Sequence, residues 1–391
     1  MRQETEYSFI REVWKRYRSS FSAMLGLFLI FLLFLTATGA PLLANHLPLL
    51  ARVNGEVSSP AFRELFAPDS TEVFVSKIFN WLLLILPLAG LLKLFCRKRK
   101  KTFLILSLSA AVLLLIPFLC CRPHVDRTPW RQIAPDLKNG DFAVFAPMPY
   151  GPYETSSVPY LPPGRVHWLG TDHAGRDVFA RMVYGARVSL AVGLFATGIS
   201  MLLGTFIGLM AGYKGGRIDL LVMRLVEIVI CFPAFLLLLI LMSILLDCGS
   251  RQSILLVIAV IGLTGWTGLC RLVRGETLRV RQNAYIQSCE AMGTPLWRIL
   301  LFHLLPNVSG PIFVSFTFEV AGAILAESSL SFLGFGVQDP TASWGELLRQ
   351  AFPDPLTYWH LMFAPGMAIF LAVCAFNLAG EGLRRALDGK T

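Results

Sequence analysis

Residues 271–307 read RLVRGETLRVRQNAYIQSCEAMGTPLWRILLFHLLPN, a polar and basic island between two long apolar segments. Its interior predicts two short helices. The first covers residues 283–292, with Tyr285, Ile286, Cys289 and Met292 on one face and Gln287 and Glu290 turned away. Gly293 follows where a helix C′ glycine belongs. Thr294 is then a suitable N-cap and Pro295 a suitable first helical residue. A pair of short helices held between apolar segments reads as a surface on which another protein docks.

The apolar segments on either side set the class. The chain has 391 residues, of which 55% are hydrophobic and 15% charged. A soluble core cannot hide that much apolar surface, so the reading is an all-α integral membrane protein. The net charge of +10 fits Lys and Arg that set membrane topology. It does not point to nucleic acid, because apolar spans interrupt the basic residues.

About eight transmembrane helices are expected, near residues 22–44, 79–96, 102–121, 188–212, 221–246, 253–272, 309–333 and 360–380. The first is read as an uncleaved span, since its apolar core is longer than that of a signal peptide. Residues 1–21 precede it and a loop of 45–78, containing Asn54-Gly55, follows it. Residues 79–121 form a hairpin whose turn, 97–101, is five successive cations. A long loop rich in Pro and Tyr covers 122–184, and Thr171 or Asp172 is the expected cap of a short helix leading into the fourth span. Pro233 predicts a kink in the fifth. The short segments 1–21, 93–101, 213–224, 271–303 and 380–391 hold most of the 35 Lys and Arg. The positive-inside rule therefore places both termini and the 271–307 island in the cytoplasm.

No catalytic constellation emerges. There is no G-x-S-x-G and no HExxH. Gly389-Lys390-Thr391 resembles the end of a P-loop, but Arg384 stands where the first glycine belongs. No cofactor is expected, and any ATP hydrolysis must come from another subunit. The eight cysteines show no metal-ligand spacing. Cys120, Cys121 and Cys248, near outer ends of spans, are read as small apolar residues, with a disulfide among them left open. His167, Asp172, His173 and Asp177 are read as an interfacial loop and helix start in preference to a metal cluster.

Charged residues inside spans are more informative. Arg224 and Glu227 are spaced to pair along one helix. Glu319 lies about ten residues into the seventh span, roughly 12–15 Å along its axis, and must face protein or a water-filled path. Glu327 and Ser328 are candidates for an outer gate. Gly204, Gly208 and Gly212 recur every four residues and predict close helix packing.

HWLGTDHAGRDVFARMVYGARVSLAVGL from residue 167, AGYKGGRIDLLVMRLVEIVICFPAFLL from 211, ILAESSLSFLGFGVQDPTASWGELL from 324 and FNLAGEGLRRALD from 376 occur in order. Together they resemble the C-type permease subunit of bacterial ABC importers for dipeptides, oligopeptides and nickel, over about 165–388 plus the first span. The resemblance implies that the C-terminal five spans and the first form a type I ABC importer permease core. Residues 185–391 would be the permease domain, with a cytoplasmic coupling loop at 273–307. It implies a bacterial inner-membrane location and four partners: a second homologous permease, two ATP-binding subunits and an extracytoplasmic solute-binding protein. The ATPase-coupling residues carried over are Tyr285, Gln287, Ser288, Cys289, Ala291, Met292, Gly293 and Pro306.

The departures are specific. The family loop usually reads Glu-Ala-Ala where this chain has Gln287, Ser288 and Cys289. Glu290 stands where a basic residue is common, Glu319 where a small one is common, and the 79–121 hairpin is extra. An ion-gradient-driven transporter, with Glu319 as its one strong candidate, and a non-transporting scaffold are the alternatives; nickel or another small solute is the alternative cargo.

Overall fold

The computed structural model describes residues 2–53, 55–68, 70–96, 100–120, 128, 130–134, 141–155, 157–247 and 254–388. Asn54, the cationic turn at 97–99, Cys121, the link 248–251 and Gly389-Lys390-Thr391 lie outside them. In chain order the elements are α1 (Arg2–Ser19), α2 (Phe21–Thr38), α3 (Ala40–Leu43), β1 (Leu50–Val53), β2 (Glu56–Ser58), α4 (Pro60–Phe66), α5 (Val73–Phe95), α6 (Lys100–Cys120), α7 (Trp130–Ile133) and β3 (Phe142–Val144). They continue with α8 (Val178–Lys214), α9 (Gly216–Cys231), α10 (Ala234–Asp247), α11 (Ile254–Arg281), α12 (Ala284–Ala291), α13 (Leu296–Arg298), a π-helical turn Ile299–Leu304, α14 (Leu305–Phe332), α15 (Trp344–Ala351) and α16 (Trp359–Asp388).

Among the described residues, six helical stretches are long and apolar enough to cross a membrane: α2, α5, α8, α11, Leu296–Phe332 and α16. The fifth expected span is not one kinked helix. It is the pair α9 and α10, bent by 84° at Phe232 and Pro233, and it makes a seventh crossing only if counted as one. Pro233 lacks the N–H that would continue the ladder, and Phe232 before it takes an extended conformation (φ −85°, ψ 132°). The third expected span is the shorter apolar stretch Thr102–Phe118 within α6. The count is therefore six or seven long spans plus this shorter helix, where the sequence suggested eight.

Several spans also end elsewhere than expected. α8 starts at Val178, so the short helix foreseen before the fourth span is the first turns of that span. Its cap is Asp177, whose Oδ1 accepts the Ala180 N–H at 2.8 Å, not Thr171 or Asp172. α2 stops at Thr38, before Gly39 and the Pro41 of α3. The first loop carries β1 and β2, and β3 comes from the loop 122–184: β1 pairs antiparallel with both, in the order β2-β1-β3.

The chain divides into two compact units. The first contains Met1–Phe31, Leu190–Val337 and Ala368–Thr391. Its centre is a glycine seam. A Cβ on Gly204 would lie 2.8 Å from the Trp266 carbonyl, on Gly208 2.7 Å from that of Cys270, and on Gly212 2.8 Å from that of Arg274. The three glycines thus let α8 lie backbone to backbone on α11, as small residues do in membranes. Gly26 brings α2 equally close to Ala379 of α16. Asp219 of α9 accepts two hydrogen bonds from Arg274 of α11, at 2.5 and 2.6 Å, a bidentate pair of the strong kind. The exposed Arg224–Glu227 pair on α9 contributes little by comparison.

The second unit contains Leu32–Ser189 and Gln338–Met367. Here α5 and α6 pack as a hairpin, with Trp81 Nε1 donating to the Ala111 carbonyl at 3.1 Å and Lys77 Nζ to that of Phe118 at 2.6 Å. The outer face of α6 shows Leu104, Leu108 and Leu113, each about two-thirds exposed, as lipid-facing residues are. A charge network, buried except at Asp339, ties the start of α8 to residues 339–346. Asp172 Oδ2 accepts from Arg176 Nε at 2.7 Å, Arg176 also pairs with Asp339, and Arg181 donates to Glu346 Oε2 at 2.7 Å. Burial raises the Asp339 carboxyl, but the hydrogen bond and charge of Arg176 reverse this and hold it below the ordinary range.

Replacing Gly208 by Leu should separate α8 from α11 and destabilise the purified chain by about 2 kcal/mol or more. The check is the unfolding midpoint in detergent. Gly198→Leu on the same helix, where a Cβ meets nothing within 4 Å, should leave that midpoint nearly unchanged.

Candidate functional site

The polar island is mostly helix. α11 runs on to Arg281, and the seventh span begins at Leu296, continuing through the π-helical turn into α14. The second short helix of the sequence reading is therefore the first part of a long span. Its start is shifted too: Pro295 occupies the cap position (φ −64°, ψ 143°) and Leu296 is the first helical residue. What projects between the two long helices is α12 alone.

α12 begins after Asn283, which is extended (φ −68°, ψ 137°) and makes no side-chain cap bond. It ends in a complete Schellman motif. The Gly293 N–H donates to the Glu290 carbonyl at 3.0 Å and the Thr294 N–H to the Cys289 carbonyl at 3.1 Å. Gly293 has φ +70°, the left-handed region that a side chain disfavours. One residue anchors the helix. Ile286 is fully buried in a cluster with Val280, Ile299, Leu300 and Leu304, and Cys289 packs against it half-buried. Glu290 adds a second tie: it lies 3.8 Å from Arg281, whose guanidinium stands over the Tyr213 ring. The acidic residue at 290 is thus turned back toward α11 and α8.

The remaining face is free. Tyr285, Gln287, Ser288, Ala291, Met292 and Gly293 are exposed, and so is Pro306 at the start of α14. Their spacing groups Tyr285 and Met292 with Ile286 on one apolar face. In the structure these two point outward, Met292 at 75% exposure. Trp297 and Phe302, which that spacing leaves out, form an exposed edge-to-face pair beside α12. Two aromatics within ten residues of the Gly293 helix stop, in an otherwise polar and basic stretch, are the signal the sequence offers for them.

Glu319 occupies a different place. A cavity of about 460 Å³ opens at the break between α9 and α10, lined by residues of α8, α11 and α14. Glu319 lines it together with Thr197, Thr264 and Gly322. Among the described residues Glu319 has no hydrogen bond or ion pair, and the buried Thr197 Oγ1 has no partner. Glu327 and Ser328 are not with it. Both are buried, and Glu327 Oε1 accepts from Ser331 Oγ at 2.9 Å, which in turn accepts the Val337 N–H at 3.0 Å. They hold the turn after α14 together.

The four His and Asp residues of the loop before α8 do not converge on one point. His167 Nδ1 bonds Asp177 Oδ2 at 2.8 Å and its Nε2 bonds Ser157 Oγ at 2.7 Å. Burial raises the Asp177 carboxyl against the lowering effect of the Ala180 N–H and of His167. Asp172 belongs to the arginine network. His173 lies instead near Asp339 and Glu346, with ligand atoms within 4.8 Å, but those carboxylates already face Arg176 and Arg181. Cys96, Cys120, Cys231, Cys270, Cys289 and Cys374 are free thiols.

Residues 204–391 match the family described as binding-protein-dependent transport system inner membrane component. Residues 8–56 match the N-terminal TM domain of oligopeptide transport permease C. The chain is 45% identical over 231 residues to the dipeptide transport system permease protein DppC of Bacillus subtilis, covering 59% of this chain and 71% of that protein. This chain belongs to the binding-protein-dependent transport permease family. It is also 41% identical over 228 residues to the glutathione transport system permease protein GsiD of Pectobacterium atrosepticum, covering 58% of this chain and 74% of that permease. With the oligopeptide transport system permease protein OppC of Bacillus subtilis it shares 38% over 254 residues, covering 63% and 81%. In this permease, residues 57–203 fall between the two matched stretches.

Ile286→Ala should loosen α12 without unfolding the spans, since it deletes one buried anchor at a cost of about 2–4 kcal/mol. Amide hydrogen exchange of residues 284–291 should speed up sharply while that of α11 stays slow. Unchanged protection of α12 would show that Ile286 is not its anchor.

Proposed function

We propose that this chain is a non-catalytic transmembrane subunit that moves peptides through a bacterial ABC importer, with α12 as its coupling helix. The observation that carries the reading is the geometry of α12: a short helix anchored by Ile286, stopped by Gly293 and exposing Tyr285, Gln287, Ser288, Ala291 and Met292. The peptide cargo is supported by the dipeptide and oligopeptide relatives. The partners of this reading are a second homologous permease, two ATP-binding subunits on the cytoplasmic side and an extracytoplasmic solute-binding protein. The chain sits in the inner membrane with both termini cytoplasmic, residues 273–307 form the coupling loop, and the hairpin 79–121 and loop 122–184 are additions to the permease core.

Closure of the ATPase dimer displaces α12, and α12 moves α11 and the 296–332 helix as a unit, because Ile286 packs on both. Alternating access then follows from a bistable helix bundle, with no chemistry in this chain. The head Gln287-Ser288-Cys289 lacks the family glutamate, so the fit rests on helix shape and on Gly293.

The Glu319 cavity is the section of the path that meets the cargo. A carboxyl in a span is costly without a partner, and the amino terminus of a peptide is a cation of the right charge. Glu319→Gln should lower uptake of free-amino-terminal peptides by about tenfold, about 1.4 kcal/mol, while ATPase copurification is unchanged. Equal uptake by the variant would remove Glu319 from the path.

The tagged chain should bring down an ATP-binding subunit from a membrane extract. Gly293→Pro should abolish ATP-driven uptake while the spans remain inserted. Failure to recover any ATPase, or normal uptake by the proline variant, overturns the coupling role of α12.

A further inference from the structure

Residues between the two family-matched segments supply most of the lining of a second site. In the second unit, a cavity of about 340 Å³ is lined by Glu64, Asn80, Tyr153, Glu154, Tyr184 and Arg187 among others. All six lie within residues 57–203.

Arg187 is 2% exposed. Its Nε donates to the Ala37 carbonyl at 2.6 Å and its Nη2 to that of Thr38 at 3.2 Å, the last carbonyls of α2. Its guanidinium stands 5.1 Å from the Tyr184 ring centre and 5.8 Å from that of Phe79. Among the described residues Nη1 has no hydrogen bond, and no carboxylate forms an ion pair with Arg187. Asn80 is also 2% exposed. Its Nδ2 donates to the Leu65 carbonyl at 2.9 Å, and its Oδ1 has no partner. A buried cation with a spare donor and a buried acceptor with no donor therefore share one cavity. Two carboxylates share it with them. Glu64 Oε2 accepts from Asn45 Nδ2 at 3.2 Å, and Glu154 pairs with Arg131.

We propose that this cavity binds a small zwitterion, a free amino acid or a short peptide. The ligand carboxylate meets Arg187 Nη1 and the Tyr184 hydroxyl. The ligand ammonium meets Asn80 Oδ1 and the Glu64 carboxylate. A simple anion would face Glu64 and Glu154, and a simple cation would face Arg187; only a ligand carrying both charges answers both sets of groups. The volume is at the small end of ligand pockets, which limits the occupant to one or a few residues. The site does not depend on α12 or on ATP coupling, so its failure and that of the importer reading are separable.

The test is calorimetric titration of the full-length chain in lipid nanodiscs, without nucleotide. Alanine and dialanine are titrated beside N-acetyl-dialanine and dialanine amide. At least one zwitterion should bind, and blocking either charge should weaken it by tenfold or more. Alanine against dialanine distinguishes a free amino acid from a peptide as the source. Asn80→Leu, which removes the acceptor and puts an apolar group in its place, should abolish binding while the unfolding midpoint shows the chain still folded. Where that variant does not insert, Glu64→Gln should weaken binding in its place. No binding of either zwitterion at millimolar concentration overturns the proposal. So do equal affinities for the blocked derivatives, or wild-type binding by a folded Asn80→Leu chain.

Discussion

The contact of α8 with α11 through Gly204, Gly208 and Gly212 is the constraint on which the first unit depends. In a lipid environment helices gain nothing by hiding apolar surface from each other, so association rests on close packing. With no Cβ at three successive turns, the backbone of α8 reaches the carbonyls of Trp266, Cys270 and Arg274. That fixes α11 over most of its length. Arg274 is then placed to take Asp219 of α9 in a bidentate pair, which locates the first half of the broken span. The end of α11, with Val280 and Arg281, is placed to receive α12.

α12 is joined to this frame by few contacts, and their kinds differ. Ile286 is a buried apolar anchor and sets position. Glu290 reaches Arg281 in a long, half-exposed pair that adds orientation more than energy. Gly293 ends the helix sharply enough for the chain to turn into the next span. The face left over is a rigid knob with little charge. Such a knob transmits displacement well, because the helices behind it are continuous: α11 leads into the membrane on one side and Leu296–Phe332 on the other.

Much of this was legible in the sequence where a residue has one physical use. The four-residue glycine period announced a helix seam, and Gly293 announced a helix stop. Helix lengths were less legible, since Arg271, Arg274 and Glu276 made the island look like loop although charged residues suit an exposed helix end. Pro233 announced a disturbance but not its size; an 84° break needs the extended Phe232 as well. Asp172 and Asp177 both look like caps, and only the fold gives the cap to Asp177 and the arginines to Asp172. The small sheet, the Arg176–Asp339 and Arg181–Glu346 pairs, and the meeting of Asn80 with Arg187 at one cavity join residues far apart in the chain. No local pattern encodes them. Glu319 was visible as an oddity; its cavity was not, because that depends on the break between α9 and α10.

The central claim is that the free face of α12 seats on an ATP-binding partner. The most direct measurement is site-directed cross-linking in native membranes, in a chain whose own cysteines have been replaced. A cysteine at position 288, on the exposed face, is compared with one at position 304, where Leu304 is fully buried. The expected result is a cross-link to an ATP-binding subunit from 288 and none from 304. No cross-link from 288, or equal yields from both positions, would contradict it.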